Sequence, residues 1–95
     1  MSNGPIGVAA YGVNRIIVAD TGNNKVKVLD ANGNLLTEYN SPNDGHVGTF
    51  NQPRGVVADR NGNIVVADTG NQRVVTLVKA LPSWMIHLPL IMRSP

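Results

Sequence analysis

Cysteine is absent from the chain, so neither a disulfide framework nor a thiolate-bound zinc site can stabilise it. Aromatic side chains are scarce as well, with one Phe, one Trp and two Tyr. No apolar run approaches the roughly 20 residues that a membrane-spanning helix needs, and the first residues lack the basic and apolar segments of a secretory signal. We therefore expect no membrane partner, and no cellular location follows beyond a cytoplasmic default.

The charge balance is nearly even and says little about partners. Eight Lys and Arg stand against six Asp and Glu, which gives a formal net charge of +2. Such a small excess is a weak argument for a polyanionic partner. Hydrophobic content is ordinary at 42%, and ten glycines suit a fold of short strands joined by tight turns.

The chain contains an internal repeat. The phrase Ala-Asp-Thr-Gly-Asn occurs at residues 19–23 and again, 48 residues later, at 67–71. Alignment of residues 5–29 with 53–77 needs no gap and gives 13 identities in 25 positions. A match of this density indicates two copies of one structural unit.

Each copy predicts a β-hairpin. The β-branched runs 15–19 and 63–67 predict strands that are buried on both faces, and the alternating run 25–29 predicts a half-buried strand. The phrase between the strands predicts the turn, with positive φ at Gly22 and Gly70. The predicted turn residues are Asp20, Thr21, Gly22, Asn23, Asp68, Thr69, Gly70 and Asn71.

The remaining segments predict one complete four-stranded unit and one incomplete unit. An Asn-Gly turn within residues 30–34 leads into residues 35–39, which complete a meander of four strands. Residues 40–49 form a polar linker with proline and glycine. The turn signal is missing after residue 78, so residues 79–95 form a divergent tail, with the part to about residue 88 as a poor candidate for a fourth strand.

The second copy resembles the NHL repeat. The resemblance rests on the pattern Phe50-x-x-Pro53-x-Gly55 and on the run Gly-Asn-Ile-Val-Val-Ala-Asp-Thr-Gly-Asn-Gln-Arg-Val at 62–74, and it extends over residues 5–39 and 50–78. In that family one repeat supplies most of a four-stranded β-propeller blade, and complete propellers often have six blades. The resemblance implies an all-β fold of two four-stranded antiparallel blades, an incomplete propeller.

This resemblance gives a division of the chain. Residues 1–39 are the first NHL-like blade, 40–49 the linker between blades, 50–78 the first three strands of the second blade, and 79–95 the tail. Two blades cannot close a ring, so large apolar faces would stay exposed. We expect a fragment of a longer propeller, or alternatively a subunit that closes a propeller with copies of itself.

Four cations are candidate binding residues on a propeller face: Lys25, Arg73, Arg54 and Arg60. Lys25 and Arg73 follow the turn at the same place in both copies, so the structural interpretation is an ion pair that braces the turn through Asp20 or Asp68. The functional interpretation is a basic face, which proteins of the NHL family use to bind single-stranded RNA or peptides. Few aromatic rings are available to stack bases, because Phe50 is expected in the core.

No catalytic constellation is visible. The Asp-x-Asn-Gly-Asn segments at 30–34 and 59–63 superficially resemble a calcium loop, but neither has the closing Glu, and hairpin chemistry explains both. Two His at unrelated repeat positions, His46 and His87, cannot form the zinc site of the amidating lyases that resemble this family. We predict no catalytic residue, metal or cofactor. The predicted function is a non-enzymatic scaffold for a protein or peptide, with single-stranded RNA binding as the alternative and a relative of peptidyl-amidating lyases as a remote one.

Overall fold

The computed structural model describes residues 4–79, which form seven β-strands in two antiparallel sheets. The strands are β1 (Gly7–Ala10), β2 (Arg15–Asp20), β3 (Lys25–Asp30), β4 (Leu35–Tyr39), β5 (Pro53–Ala58), β6 (Ile64–Asp68) and β7 (Arg73–Leu77). The order is β1-β2-β3-β4 in one sheet, the first blade, and β5-β6-β7 in the other, the second blade. The all-β antiparallel prediction is confirmed. The candidate fourth strand of the second blade lies outside the described residues.

Both copies of the phrase form a single turn of 3-10 helix, at Thr21–Asn23 and Thr69–Asn71. The residue that follows each turn is left-handed, with φ of 57° at Asn24 and 54° at Gln72, and its N–H donates to the carbonyl of the turn's Thr. The prediction of positive φ at Gly22 and Gly70 is wrong. The 3-10 turn keeps its own residues right-handed and places the reversal at the residue that ends it.

β2 and β6 are not buried on both faces. In β2 the side chains alternate, so that Ile17 and Ala19 are buried while Ile16 and Val18 are half-buried. The same alternation occurs in β6. The prediction of burial on both faces is therefore wrong within residues 4–79. A blade would need a neighbour on each side to bury both faces, and each described blade has the other on one side.

The core lies between the two blades, where β1 and β2 pack against β5. Its buried members are Ile17, Val26 and Val28 of the first blade with Phe50, Ile64, Val66, Val75 and Leu77 from the second copy. Phe50 is 1% exposed, so the prediction that it is a core residue is confirmed. Burial of a large side chain of this kind contributes about 1.5–3 kcal/mol, so the packing between the blades stabilises the fold.

Polar contacts also join the blades. The Thr21 hydroxyl donates to the carbonyl of Pro53 at 2.6 Å, and the Tyr11 hydroxyl donates to the carbonyl of Gly62 at 2.6 Å. Burial is the main cause that raises the pKa of Tyr11 above its ordinary value. At Gly7 the backbones approach so closely that a Cβ would overlap the carbonyl oxygen of Arg54. No helix among the described elements has the length and hydropathy needed to cross a bilayer.

Candidate binding surface at the 3-10 turns

Asp68 is fully buried and connects the second turn to the segment that precedes β5. Its Oδ1 accepts the N–H of Asn51 at 2.7 Å, and its Oδ2 accepts Asn71 Nδ2 at 2.8 Å and Arg73 Nε at 2.9 Å. Burial, the largest influence, raises the pKa of Asp68, but the hydrogen bonds from Asn71, Asn51 and Arg73 together lower it. The ionised carboxylate is a structural anchor.

Gly70 belongs to the same anchor. Its N–H donates to the carbonyl oxygen of Asn51 at 2.7 Å, and a Cβ at Gly70 would lie 2.5 Å from that oxygen. A side chain cannot fit so close to a backbone atom without displacing it. Close approach of two backbone segments, and not positive φ, therefore requires glycine at this position.

The Arg73 side chain makes its contacts within the chain. Besides its ion pair with Asp68, the guanidinium donates to the carbonyls of Val47 at 2.6 Å and Gly48 at 3.3 Å, and its side chain is 21% exposed. The predicted turn-bracing ion pair is thus present in the second copy. This arginine holds the linker against the start of β7.

Lys25 does not brace the first turn, which corrects the prediction for that copy. Its Nζ lies 3.3 Å from Glu38 Oε1, and Asp20 is paired instead with Lys27 at 3.0 Å. The first copy has two cations on β3 and a carboxylate on each neighbouring strand, so two diagonal pairs form. In the second copy Val75 occupies the position that corresponds to Lys27. Arg73 is therefore the cation that pairs with Asp68 of the turn.

The four candidate cations do not form one patch. Arg54 follows Pro53, which is paired with Asp68, so it lies at the same end of the blades as Lys25 and Arg73. Arg60 lies in the loop between β5 and β6, at the opposite end. One strand of five or six residues, about 17–20 Å, separates the two ends. Arg54 and Arg60 are both exposed.

A cleft of about 330 Å³ opens beside Lys25 at the turn end. Its lining comprises Lys25, Glu38, Tyr39 and residues 40–43, and so includes an ion pair, a half-buried aromatic ring and polar linker groups. Glu38 and Tyr39 did not emerge from the sequence as site residues. Their place on β4 was predictable, but the direction of the linker after Tyr39 was not.

The linker runs antiparallel along the outer edge of β7, where β4 lies in the first blade. Asp44 Oδ2 accepts the N–H of Thr76 at 2.8 Å, and Asn43 pairs with both backbone groups of Val78. Linker side chains therefore accept hydrogen bonds from backbone N–H groups at this edge. Unpaired N–H groups at a sheet edge otherwise invite pairing with another chain. His46 Nδ1 lies 2.8 Å from Asp44 Oδ1.

The two Asp-x-Asn-Gly-Asn loops bind their own backbone. Asp30 accepts the N–H groups of Asn32 and Asn34 at 2.9 Å each, and Asp59 accepts those of Asn61 and Asn63 at the same distances. These bonds, led by the N–H of the last Asn, lower the pKa of both carboxyls. Within residues 4–79 no group of three or more His, Asp or Glu side chains is placed to hold a metal ion.

Two antiparallel meanders with the same turn, packed face to face, are what neighbouring blades of a β-propeller look like. Comparison with protein-family models gives a match to the NHL repeat over residues 50–77, from the buried Phe50 to the end of β7. Residues 50–77 therefore match an NHL repeat, which agrees with the resemblance that the second copy shows in the sequence. A search of curated proteins found no match to the chain.

Proposed function

We propose that the chain is a non-enzymatic scaffold that binds a protein or peptide at the turn end of the blades. The cleft beside Lys25 carries this proposal. It combines an exposed ion pair with Glu38, the ring of Tyr39 and the polar groups of residues 40–43. A peptide offers charges of both signs, amide groups and apolar side chains, so it complements a mixed lining of this kind.

The charge balance favours a peptide over single-stranded RNA. RNA binding depends on cations that neutralise phosphates and on aromatic rings that stack on bases. Lys25 is paired with Glu38 and Arg73 with Asp68, so the charges of two candidate cations are already compensated. Of the rings in residues 4–79, Tyr39 lines the cleft, whereas Phe50 is buried between the blades.

The lyase alternative gains no support from residues 4–79. His46 is hydrogen-bonded to Asp44 in the linker, and no further potential ligands are grouped with this pair in the described part of the chain. His87 lies outside the described residues. The proposal of a scaffold without its own chemistry therefore stands on the cleft and on the pairing of the cations.

Selection of displayed peptides on the immobilised 95-residue chain tests the proposal, followed by titration calorimetry of the selected peptide. Lys25→Ala and Tyr39→Ala should each weaken binding about tenfold, roughly 1.4 kcal/mol. Arg60→Ala is the matched control, because Arg60 is an exposed cation at the opposite end, and it should leave affinity unchanged. Failure to select a peptide whose binding depends on Lys25 or Tyr39 would overturn the proposal.

A filter-binding assay with single-stranded RNA tests the alternative. We expect no complex tighter than about micromolar at physiological salt, because the paired cations release few counterions. Lys25→Glu and Arg54→Glu are the informative variants, since Arg73→Glu would also disrupt the anchor at Asp68. A sub-micromolar complex that these variants weaken, with a reduced salt dependence, would replace the scaffold proposal by RNA binding.

A further inference from the structure

Each blade has two faces, which the strand register defines. Successive residues of a strand point to opposite faces, and paired residues share a face. On the first blade, Ala9, Ile17 and Val26 lie on what we call the trailing face, and Val8, Val18 and Lys27 on the leading face. The 48-residue offset gives their counterparts on the second blade, Val57, Val65 and Val74 on its trailing face and Val56, Val66 and Val75 on its leading face.

The observed interface joins the trailing face of the first blade to the leading face of the second. Ile17, Val26, Val66 and Val75 belong to its buried cluster, and Ala9 and Val56 pack against that cluster. The other two faces have no described partner. Val8 is 68% exposed on the open leading face, and Val57 and Val74 are 55% and 66% exposed on the open trailing face.

We infer that the open trailing face of the second blade binds the open leading face of the first blade in another copy of this chain. The internal repeat makes the open trailing face of the second blade equivalent to the buried trailing face of the first blade. It likewise makes the open leading face of the first blade equivalent to the buried leading face of the second blade. The two blades of one chain are therefore a template for the contact between two chains. This association is head to tail, so it uses two different patches and can continue around a ring or along a filament.

The polar contacts of the template have counterparts at the open faces. Thr21 donates to the carbonyl of Pro53, and the corresponding pair is Thr69 with Pro5, both of which are exposed. Gly7 meets the carbonyl of Arg54, and the corresponding pair is Gly55 with Ile6. Among the residues that the structure describes, the nearest atom to a Cβ at Gly55 would be the Cβ of Ala67, at 3.4 Å. Packing within the second blade therefore does not require glycine at position 55, and the space beside it is open for the backbone of another copy.

The contact between chains is expected to be weaker than the one within a chain. Lys27 stands on the open leading face where the template has Val75, although its Nζ is held by Asp20 and its methylenes still cover the sheet. Asp59 occupies the position that corresponds to Tyr11, so the contact between chains lacks the hydrogen bond that the Tyr11 hydroxyl donates within one chain. The open trailing face has no charged residue among β5–β7 positions on that side, so Lys27 meets no like charge there. Two leading faces would bring Lys27 of each copy together, which disfavours a symmetric pair.

Sedimentation velocity on the full chain, between about 1 and 100 µM, measures the association. Val57→Lys places a charge on the trailing face and Val8→Glu on the leading face, and each variant alone should sediment as a monomer. An equal mixture should form a complex of about twice the 10.1 kDa chain, because the first variant keeps an intact leading face and the second an intact trailing face. Val47→Lys and Val13→Glu are matched controls in loops, both 84% exposed, and should associate like the unaltered chain.

Gly55→Ala is the finer test, since it adds one methyl group without charge. We expect unchanged circular dichroism and amide protection but association weakened at least about tenfold. An unaltered chain that stays monomeric throughout the concentration range would overturn the inference. So would folded Val57→Lys and Val8→Glu variants that self-associate normally or fail to combine. Peptide binding is tested on Lys25 and Tyr39, which none of these variants alters, so failure here leaves the proposed function standing.

Discussion

Thr21 and Thr69 occupy the same place in the two copies of the repeat but have different surroundings. The Thr21 hydroxyl is buried and donates to the second blade, whereas Thr69 is exposed and its hydroxyl lies 3.4 Å from the carbonyl of Ala67 two residues before it. The local turn is the same in both. Sequence identity therefore determines the turn, and the neighbouring blade determines whether the turn contributes to the core.

Asp20 and Asp68 show the same separation of local and long-range effects. Each accepts a bond from the Asn three residues later, at 3.1 and 2.8 Å. Asp68 also accepts the N–H of Asn51, so it holds the chain that enters the second blade. In the first copy the Nζ of Lys27 takes the place of the guanidinium of Arg73. The carboxylate of Asp20 thus braces a hairpin, and that of Asp68 joins a hairpin to the segment that enters β5.

The largest expected difference between the copies is the cost of removing these carboxylates. Asp68→Ala leaves the mostly buried Arg73 without its counterion and the N–H of Asn51 without an acceptor, so we expect a loss of about 3 kcal/mol in the free energy of unfolding. Asp20→Ala should cost about 1 kcal/mol, because Lys27 can turn to solvent. Urea denaturation at one low protein concentration measures both. Equal losses would show that the hydrogen bond from Asn51 to Asp68 contributes nothing.

The hairpins were accessible from the sequence because their determinants are local. β-branched runs on either side of Asp-Thr-Gly-Asn predict two strands and a turn, and β4 follows from its own Asn-Gly turn. The type of turn was not accessible, since a 3-10 turn with positive φ at Asn24 uses the same residues as a turn with positive φ at Gly22. Propensity does not separate these two backbones.

The site was less predictable than the fold, because its contacts join residues far apart in the chain. Lys25 pairs with Glu38 across β3 and β4, and this choice depends on the second cation at Lys27. Arg73 reaches the carbonyl of Val47 because the linker runs along β7. A sequence pattern shows that the linker is polar and long enough, but it does not show which strand the linker follows.

The second prediction uses a matched pair of glycines. Gly7→Ala places a methyl group against the carbonyl of Arg54 in the interface between blades, so we expect it to cost about 2–3 kcal/mol. Gly55→Ala at the equivalent place should change the unfolding free energy by no more than about 0.5 kcal/mol. Urea denaturation again measures both, at a concentration where the chain is monomeric. If Gly55→Ala destabilises the monomer as much as Gly7→Ala, the two faces are not used as the structure indicates.

The smallest expected effect concerns the outer edges of β3 and β7. Val28 is paired with Thr37 of β4, whereas its counterpart Thr76 donates to the carboxylate of Asp44. Burial, the largest influence, raises the pKa of Asp44, but hydrogen bonds from the side chain and backbone of His46 and from Thr76 outweigh it and lower the pKa to about 2. A lowered pKa means that the carboxylate's contribution is complete above its ordinary value of 3.8 and is lost as pH falls towards about 2.

Acid should therefore loosen the β7 edge before the β3 edge. We expect amide-exchange protection at Thr76, corrected for the intrinsic rate at each pH, to decrease between pH 3.8 and about 2 while protection at Val28 is retained. Asp44→Asn is the control, because an amide oxygen can still accept the N–H of Thr76 but does not titrate in this range. Protection in that variant should be independent of pH. If Thr76 in the unaltered chain keeps its protection to pH 2, the side chain of Asp44 does not hold this edge, and the linker is attached to β7 mainly through Asn43 and Arg73.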